Sequence, residues 1–254
     1  MQIILASAKI MREASRKTGL PYSEPRFADI AKAIAGELSR KTVEQLSELF
    51  GCSPEIGELN RSRYAIFGSD EAEIIPAIFA YFGQAYKHLR ADDLSNDDLL
   101  WANSHLMISS CLYGILRPLD GINLYRMEGG FPLHASGKLK VEDFWKPLLT
   151  DLLINSVRAD DGILIYLDTE EFRRLFDWKR VQAEIPTIVE PKFQVRKAGR
   201  LTTPSVWAKT CRGAMARYII LNRIRNIGDL RDFEYEGFRY SPDKDCEWLY
   251  IREM

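Results

Sequence analysis

Apolar and polar positions along the chain predict short buried strands and amphipathic helices. The apolar runs within 2–7 (QIILAS) and 162–168 (GILIYLD) are typical of buried strands. In 27–39, apolar residues recur every three or four positions and therefore share one face of a helix. Further helices are predicted at 42–50, 53–67, 75–89, 95–106, 140–157 and 208–224, and further strands at 107–116, 185–190, 192–197 and 201–207. The last apolar segments, EGFRYSP (236–242) and EWLYIRE (247–253), predict a closing hairpin joined by DKD.

The order of these elements predicts an α/β fold of the mixed α+β kind. Helices and strands interleave, but they do not repeat as a regular βαβ series. No internal repeat, low-complexity segment or linker divides the sequence. We therefore expect a single compact domain over 1–254, built around a mixed central sheet. A division into two domains is the alternative.

The charge balance limits the classes of partner. The chain has 254 residues, with 35 basic and 36 acidic side chains and a net charge of −1. This total argues against a strongly basic nucleic-acid-binding protein, although a local basic patch is compatible with it. The four cysteines are far apart and form no CxxC pair, which is typical of free thiols in a reducing compartment. Without a secretory leader or an apolar run near the roughly 20 residues of a membrane span, the sequence predicts a cytoplasmic protein with no membrane contact.

Sequence motifs for common cofactors and catalytic centres are missing. There is no GxGxxG after a strand, no GxxxxGK[ST], no HExxH and no GxSxG. His88, His105 and His134 are isolated, and each is expected at the surface or hydrogen-bonded in the core. No cofactor and no metal ion is therefore predicted.

The helix predicted at 208–224 carries a stripe of basic residues. An advance of about 100° per residue places them within an arc of about 140°. They are Lys209, Arg212, Arg217 and Arg223. Gly213 lies among them, and a glycine inside a helix costs up to about 1 kcal/mol relative to alanine, so it needs a reason. One interpretation is the close approach of an anion to the helix, and the other is a solvated face with surface ion pairs.

The segment LYGILRPLDGINLYRMEGG places alternating charges after an apolar run. Arg117 precedes a proline, which favours an extended backbone and fixes the direction of its guanidinium, and Asp120 is expected to orient it. Arg126 and Glu128 lie two positions apart and would share one face of a strand. Lys9 follows the first strand, where α/β folds commonly place ligand contacts. These residues predict either an anion-binding pocket or a structural network of ion pairs.

The helices predicted within 42–64 have the outline of a helix-hairpin-helix. Thr42 is the expected cap of the first helix, and Ser53 followed by Pro54 is expected to begin the second. In this motif, N–H groups of the hairpin contact a DNA phosphate and basic residues of the second helix assist. The residues that would contact DNA are Gly51, Ser53, Arg61 and Arg63, with Arg217 and Arg223 of the basic stripe. A plain pair of scaffold helices is the alternative.

Several motifs resemble the YaaA-type bacterial peroxide-stress family. They are LYGILRPLD, YRME, FW at 144–145, WAKTCRGAMARYIILNR and EGF at 236–238, in the family's order and over essentially the whole chain. The first strand ends in ASAK instead of the family's SPAK, which keeps Lys9. LDTEEF is similar to the family's LAS-x-E-[YF], with Asp168 and Thr169 substituted and Glu171 in place.

The resemblance implies a cytoplasmic protein that protects cells from hydrogen peroxide, with less free intracellular iron and less oxidation of DNA. It also implies a single α/β fold with a DNA-binding helix-hairpin-helix and a positive cleft. Duplex or branched DNA is then the expected partner. The resemblance implies no particular catalytic activity.

Three functional hypotheses follow. In the first, DNA phosphates contact the basic stripe and the hairpin, with an affinity that depends on salt. In the second, an enzyme acts on a small anionic or nucleotide-like ligand in a pocket of basic side chains, with a carboxylate that orients the substrate or moves protons. The basic residues are Lys9, Arg117, Arg126, Lys209 and Arg212, and the acidic ones are Asp120, Glu128 and Glu171. A closed pocket would favour the second hypothesis and an open groove the first. Direct sequestration of iron is a third hypothesis, which no cluster of ligands in the sequence supports.

Overall fold

A computed structural model describes residues 1–12, 21–134, 137–243 and 246–254 of the chain. The strands are β1 (Gln2–Ala6), β2 (Ile75–Pro76), β3 (Leu106–Ser110), β4 (Gly114–Leu116), β5 (Gly121–Ile122), β6 (Ile163–Leu167), β7 (Thr187–Val189), β8 (Lys192–Lys197), β9 (Arg200–Thr202), β10 (Arg239–Tyr240) and β11 (Leu249–Glu253). The helices are α1 (Ala28–Leu38), α2 (Val43–Leu49), α3 (Pro54–Ala65), α4 (Ala77–Ala80), α5 (Gln84–Leu89), α6 (Asn96–His105), α7 (Val141–Ala159), α8 (Glu170–Arg173), α9 (Trp178–Glu184) and α10 (Ser205–Asn222).

The central sheet has the strand order β4-β3-β1-β6-β7, in which β4 is antiparallel and the other strands are parallel. Its middle strands are buried along most of their length, as their continuous apolar sequences require. The chain leaves β1 toward β3 on one side and later returns to β6 on the other. This reversal brings the loops that follow β1 and β6 together at the carboxyl edge of the sheet.

A second sheet has the order β10-β11-β8-β9 and contains the predicted closing hairpin. Arg239 pairs with Ile251 in an antiparallel ladder, and β11 also runs parallel to β8. The predicted connection DKD lies partly outside the described residues, since 244–245 are not among them. The mixed α/β fold predicted from the sequence is therefore confirmed.

Some predicted elements have different bounds in the structure. The strand predicted at 107–116 is two antiparallel strands, β3 and β4, joined by a turn. Gly114 makes this turn possible, because its φ is 71° and a Cβ atom there would lie 2.9 Å from the ring of Trp145. The strand predicted at 201–207 is wrong beyond Thr202, since Pro204 is the N-terminal cap of α10.

The helical pair α2 and α3 is present, and its first cap is the one predicted. Thr42 and Gln45 form a capping box at the start of α2. The two helices pack closely, because a Cβ atom on Gly57 would lie 2.2 Å from Ser47 Oγ. Ser53 occupies the cap position of α3 but makes no side-chain capping hydrogen bond. The helices thus form a packed hairpin, and its DNA binding stays a prediction.

A continuous core of buried apolar side chains connects the central sheet with the surrounding helices. Trp145 of α7 is fully buried in this core, and its indole N–H donates a hydrogen bond of 2.8 Å to the Cys111 carbonyl. None of the helices in the described part of the chain is long and apolar enough to cross a membrane.

Candidate anion-binding site

A pocket of about 250 Å³ opens at the carboxyl edge of the central sheet, between the loops that follow β1 and β6. Its walls come from the segments 5–10, 83–86, 125–127 and 167–172 and from two basic residues of α10. The reversal point of an open α/β sheet is where ligands commonly bind. The predicted candidates that line the pocket are Lys9, Arg126, Glu171, Lys209 and Arg212.

Lys9 and Arg126 share one carboxylate at this pocket. Lys9 Nζ lies 3.1 Å from Glu128 Oε1, and Arg126 Nη2 lies 2.8 Å from the same oxygen. The predicted proximity of Arg126 and Glu128 is correct, but they lie on an irregular segment rather than a strand. Tyr64 of α3 supports this segment, because its hydroxyl donates a 2.6 Å hydrogen bond to the Arg126 carbonyl. Two cations and one carboxylate leave this cluster with one net positive charge.

Lys209 and Arg212 are three residues apart on α10 and therefore face the pocket from the same side of the helix. Within the described ranges, neither side chain makes a hydrogen bond or an ion pair. Burial lowers the pKa of Arg212, and the charge of Asp168 opposes this shift. Arg212 is therefore a partly buried cation whose nearest counter-charge is not in contact with it.

Gly213 has a packing reason for its place in the middle of α10. A Cβ atom there would lie 1.8 Å from the Ala85 carbonyl oxygen of α5. The glycine thus lets α10 lie against the main chain of α5, which forms another wall of the pocket. The prediction that Gly213 lets an anion approach α10 is wrong, since a neighbouring helix occupies that position.

Asp168 is a buried carboxylate beside the pocket that the sequence reasoning did not assign to the site. It is 2% exposed, it accepts a short hydrogen bond from the Ser109 hydroxyl, and its Oδ1 accepts one of 2.6 Å from the Thr169 N–H. Burial raises the pKa of Asp168 to about 7, although these hydrogen bonds and the charge of Arg212 oppose the shift. The available signal was its position directly after a buried strand at the reversal point.

A network of hydroxyl groups lies behind the pocket and was also missed. Tyr125 Oη lies 2.6 Å from Ser110 Oγ and 2.7 Å from Tyr81 Oη. Burial raises the pKa of Tyr125 well above its usual range, so the phenol stays protonated. Tyr86 donates a 3.1 Å hydrogen bond to the Ala6 carbonyl at the end of β1. These contacts fix the polar wall of the pocket.

Two further groups in or beside the pocket bear on ligand binding. Glu171 is exposed and lines the pocket on the side of α8. Thr169 also lines it, and its Oγ1 atom is buried without a hydrogen-bond partner in the described structure. Buried hydroxyl groups are usually satisfied, so this atom is an exception beside the pocket.

The structure does not bring Arg117 and Asp120 to the pocket. Arg117 Nη1 donates hydrogen bonds of 3.0 Å to Gln2 Oε1 and 3.3 Å to the Leu106 carbonyl, at the amino ends of β1 and β3. The length of β1, about 13 Å for four residue steps, separates this position from the carboxyl edge. Asp120 accepts the Arg117 main-chain N–H at 2.8 Å and the Ser23 hydroxyl at 2.7 Å. It therefore holds a turn, and the prediction that it orients the guanidinium of Arg117 is wrong.

The basic stripe predicted on α10 is divided between two roles. Arg217 Nη1 donates to the carbonyl oxygens of Leu89 and Arg90 at 3.1 and 2.9 Å, at the end of α5. Arg223 has left-handed backbone geometry after α10 and forms a 2.6 Å ion pair with Asp98. Arg217 and Arg223 thus have structural partners, whereas the amino-terminal half of the stripe faces the pocket.

Four of the residues predicted to contact DNA lie on the α2–α3 hairpin, whereas Arg217 and Arg223 lie at the carboxyl end of α10. Gly51 has a φ of 54° in the connection, and Ser53 follows at the start of α3. Arg61 is about half exposed and lies 3.9 Å from Glu58 one turn away. Arg63 is half-buried in the last turn of α3. This surface is distinct from the pocket, although Tyr64 of the same helix contacts the pocket wall.

No group of three or more His, Cys, Asp and Glu side chains that could hold a metal ion occurs within the described ranges. The four cysteines are free thiols, and Cys111 and Cys211 are buried. Burial raises the pKa of the Cys211 thiol to about 12, which makes it a poor nucleophile.

The fold and the pocket together define an α/β protein with a basic pocket at the reversal point of its sheet. The model of the family described as peroxide stress protein YaaA matches residues 1–244. A UPF0246 protein of Phocaeicola vulgatus is 41% identical over 251 residues, which cover 99% of this chain and 98% of the relative. UPF0246 proteins of Bacteroides fragilis (39% over 252 residues, 99% and 97% covered) and Porphyromonas gingivalis (36% over 256 residues, both fully covered) are also similar. The chain belongs to the YaaA peroxide-stress protein family.

Proposed function

We propose that this protein acts in the peroxide-stress response by binding a small anionic ligand of nucleotide size in its basic pocket. The observation that carries the proposal is the position of Lys209 and Arg212, which face the cavity without a hydrogen-bonded carboxylate in the described structure. A partly buried cation without a contacting counter-charge is costly, and a bound anion would compensate for it.

The charges around the pocket favour an anion with more than one negative charge. Lys9, Arg126, Lys209 and Arg212 contribute four positive charges, whereas Glu128 and Glu171 contribute two negative charges. The remaining excess is concentrated on α10. Arginine and lysine together suit a phosphate or a carboxylate, because they supply several N–H donors in different directions.

The apolar part of the lining favours a ligand with an uncharged body. Leu5, Met127 and Phe172 line the same cavity as the cations. The cavity volume of about 250 Å³ is close to that of pockets that hold small molecules. A nucleoside or sugar phosphate combines an anionic head with such a body. Glu171 is the exposed carboxylate that would move a proton if the bound ligand reacts.

The proposed role in the cell follows from the family. Limitation of free iron and protection of DNA from oxidation would be the outcome of ligand binding in the cytoplasm, and not of direct iron storage. DNA binding by the α2–α3 hairpin is a second candidate function. It is favoured by the left-handed Gly51 in a tight connection and by the exposed Arg61 on the second helix.

A titration with adenosine 5′-monophosphate, followed by calorimetry, tests the pocket. We expect saturable binding that is weakened at least tenfold in Lys209→Met and Arg212→Met. Arg239→Met is the matched control, because Arg239 is exposed on β10 and lies outside the pocket lining. Unchanged binding in both pocket variants would contradict the proposal.

A parallel titration with duplex and branched DNA separates the second function from the first. If the hairpin binds DNA, Arg61→Ala should weaken DNA binding and leave nucleotide binding unchanged, with a slope against salt concentration that falls by about one. A bacterial strain in which each variant is the only copy of the protein is then exposed to hydrogen peroxide. Its survival shows whether nucleotide binding or DNA binding is needed for the stress response. DNA binding that is lost only in Arg212→Met would assign DNA to the pocket instead.

A further inference from the structure

Asp168 is a buried acid directly behind the proposed ligand site, and the proposed binding does not use it. We propose that Asp168 is a positioning residue that acts through Arg212, so that the pocket takes up its anion together with up to one proton. This inference rests on the proposed function, since it concerns how the same pocket selects the charge of its ligand. Asp168 does not line the cavity, and its effect is transmitted through the side chains around it.

The position of Asp168 connects it to the pocket through two neighbours. Its Oδ1 accepts the N–H of Thr169, whose own side chain lines the cavity and whose Oγ1 is buried without a described partner. Its Oδ2 accepts the hydroxyl of Ser109, and the Ser109 carbonyl accepts the N–H of Ser7 at 3.0 Å in the loop after β1. A change in the charge of Asp168 therefore alters hydrogen bonds that connect to both loops at the mouth of the pocket, the loop after β1 and the loop after β6.

The groups that face Asp168 come from each element packed against it. They are Arg212 of α10, Arg173 of α8, Tyr166 of β6, Tyr86 of α5 and Cys111 after β3. Tyr86, Tyr166 and Cys111 are neutral, because burial raises the pKa of each. Arg173 already has a carboxylate partner, with its Nη2 2.8 Å from Glu190 Oε2. Arg212 is thus the cation on which the charge of Asp168 has its effect.

Asp168 and an incoming anion compete for the same positive charge. When Asp168 is ionised, it neutralises part of the field of Arg212 and repels an anion in the pocket. When it is protonated, Arg212 is available to the ligand. Because burial raises the pKa of Asp168 to about 7, this change falls close to neutral pH. A bound anion raises the pKa further, so binding takes up a proton and anion affinity falls as pH rises.

His88 is the other titrating group linked to the pocket, and it requires a control. Its Nε2 lies 3.2 Å from Nε2 of Gln84, which lines the cavity, and its Nδ1 lies 2.8 Å from Tyr235 Oη. Burial lowers the pKa of His88 from its ordinary value, although the charge of Glu236 opposes this. Protonation of His88 would also favour an anion at low pH, so Asp168 and His88 must be separated by substitution.

Inorganic sulfate is the appropriate probe, because its charge does not change between about pH 6 and pH 8. Binding is followed by NMR through the backbone amides of Thr169 and Lys209, at constant ionic strength maintained with chloride. We expect the wild-type affinity to fall about tenfold between pH 6 and pH 8. In Asp168→Asn the affinity should be independent of pH and equal to the wild-type value at low pH. His88→Gln should retain the wild-type dependence.

A second variant keeps the test decisive if Asp168→Asn does not fold. Ser109→Ala removes a hydrogen bond that favours the ionised carboxylate, so the midpoint of the pH dependence should move to higher pH. The inference is overturned if sulfate affinity is independent of pH in the wild type, or if it depends on pH in Asp168→Asn as strongly as in the wild type. In either case the proposed binding of an anion in the pocket still stands. An unmoved midpoint in Ser109→Ala has the same two consequences. Failure of sulfate to shift either amide at any pH overturns the proposed function and this inference together.

Discussion

At the amino end of β1, Gln2 joins Arg117 to Asp160 through hydrogen bonds of 3.0 and 2.9 Å, whereas at the carboxyl end Lys209 and Arg212 face a cavity. Both ends carry arginine and aspartate within the same fold. At the amino end, the charged side chains have hydrogen-bonding partners within the protein. At the carboxyl end, Lys209 and Arg212 make no hydrogen bond or ion pair within the described residues. Charged residue types alone therefore do not distinguish a structural network from a binding site; the partners of each charge do.

The aspartates at the two ends have pKa values that are shifted in opposite directions. Burial would raise the pKa of Asp160, but hydrogen bonds from the amino group of Met1 and from Gln2 outweigh it, and the pKa is lowered. Burial dominates at Asp168, and its pKa is raised. The charge of Asp160 thus stabilises the fold, whereas the charge of Asp168 destabilises it.

The largest expected effect is on the pH dependence of stability. Because the pKa of Asp168 is raised from 3.8 to about 7, the folded state holds a proton that the unfolded chain loses. Asp168 should therefore lower the free energy of unfolding by about 4 kcal/mol as pH rises from 4 to 8. Urea unfolding of the wild type and Asp168→Asn across this range measures the difference.

Asp160→Asn is the matched comparison for this experiment. A lowered pKa adds stability above the unfolded value, and this stability is lost as pH falls through the folded value. Asp160→Asn should therefore be less stable than the wild type above about pH 4, and this difference should shrink as pH falls below that value; its sign is opposite to that of the difference for Asp168→Asn. If the two variants differed from the wild type in unfolding free energy with the same sign, the two aspartates would not have opposite effects on stability, which would contradict this prediction.

The second prediction concerns Arg117, which we expect to be structural. Arg117→Met leaves Gln2 and the Leu106 carbonyl without their buried donor, so the free energy of unfolding should fall by about 3 kcal/mol. Chemical denaturation measures this loss, and nucleotide affinity of the folded variant should stay unchanged. Arg239→Met, at an exposed position, should change stability by less than about 0.5 kcal/mol. A selective loss of nucleotide binding in Arg117→Met would place this residue in the site after all.

The third prediction concerns Arg212, at which we expect a loss of nucleotide affinity with little change in stability. Arg212→Met removes a cation that makes no ion pair in the described structure, so we expect a change in unfolding free energy below about 1 kcal/mol. Nucleotide binding should weaken by about 2 kcal/mol, or about thirtyfold, through the loss of a charged donor. Calorimetric titration and denaturation of the same preparation measure both quantities. If Arg212→Met lost much stability but kept its nucleotide affinity, Arg212 would be a structural residue like Arg117, and the charges at the two ends of β1 would have the same role.

The smallest expected effect is at Glu128, which holds Lys9 and Arg126 together. Glu128→Gln keeps the shape of the side chain and removes its negative charge, so both cations become more available to an anion. Nucleotide affinity should rise about threefold, equivalent to about 0.6 kcal/mol. Glu58→Gln, on the exposed surface of α3, should have no effect. Weaker binding in Glu128→Gln would mean that this carboxylate mainly positions the cations.

The sequence predicted most of the elements, because apolar runs and helix caps are local signals. The cap predicted at Thr42 is formed. The direction of Arg117 was not predictable, since Pro118 restricts the backbone but Gln2 and Leu106, which receive the guanidinium, are remote in sequence. Partners that come from another element are not encoded in local spacing.

The candidate site was predictable in part for the same reason. Helical spacing correctly placed Lys209 and Arg212 on one face, but it also included Arg217 and Arg223. Their partners, the carbonyl groups at the end of α5 and Asp98, depend on how α10 packs. Asp168 was overlooked because a single carboxylate after a strand has many possible roles. Only its burial against Ser109 makes it unusual.

The contact between Gly213 and Ala85 has a consequence for the dimensions of the pocket. Because α10 lies directly on the main chain of α5, the spacing between these two walls is set by backbone atoms and not by side-chain rotamers. Exchanges at most lining positions would alter the chemistry of the pocket at constant width. An exchange of Gly213 would instead separate the helices and alter the width at constant chemistry, so that the width and the charge of the pocket depend on different residues.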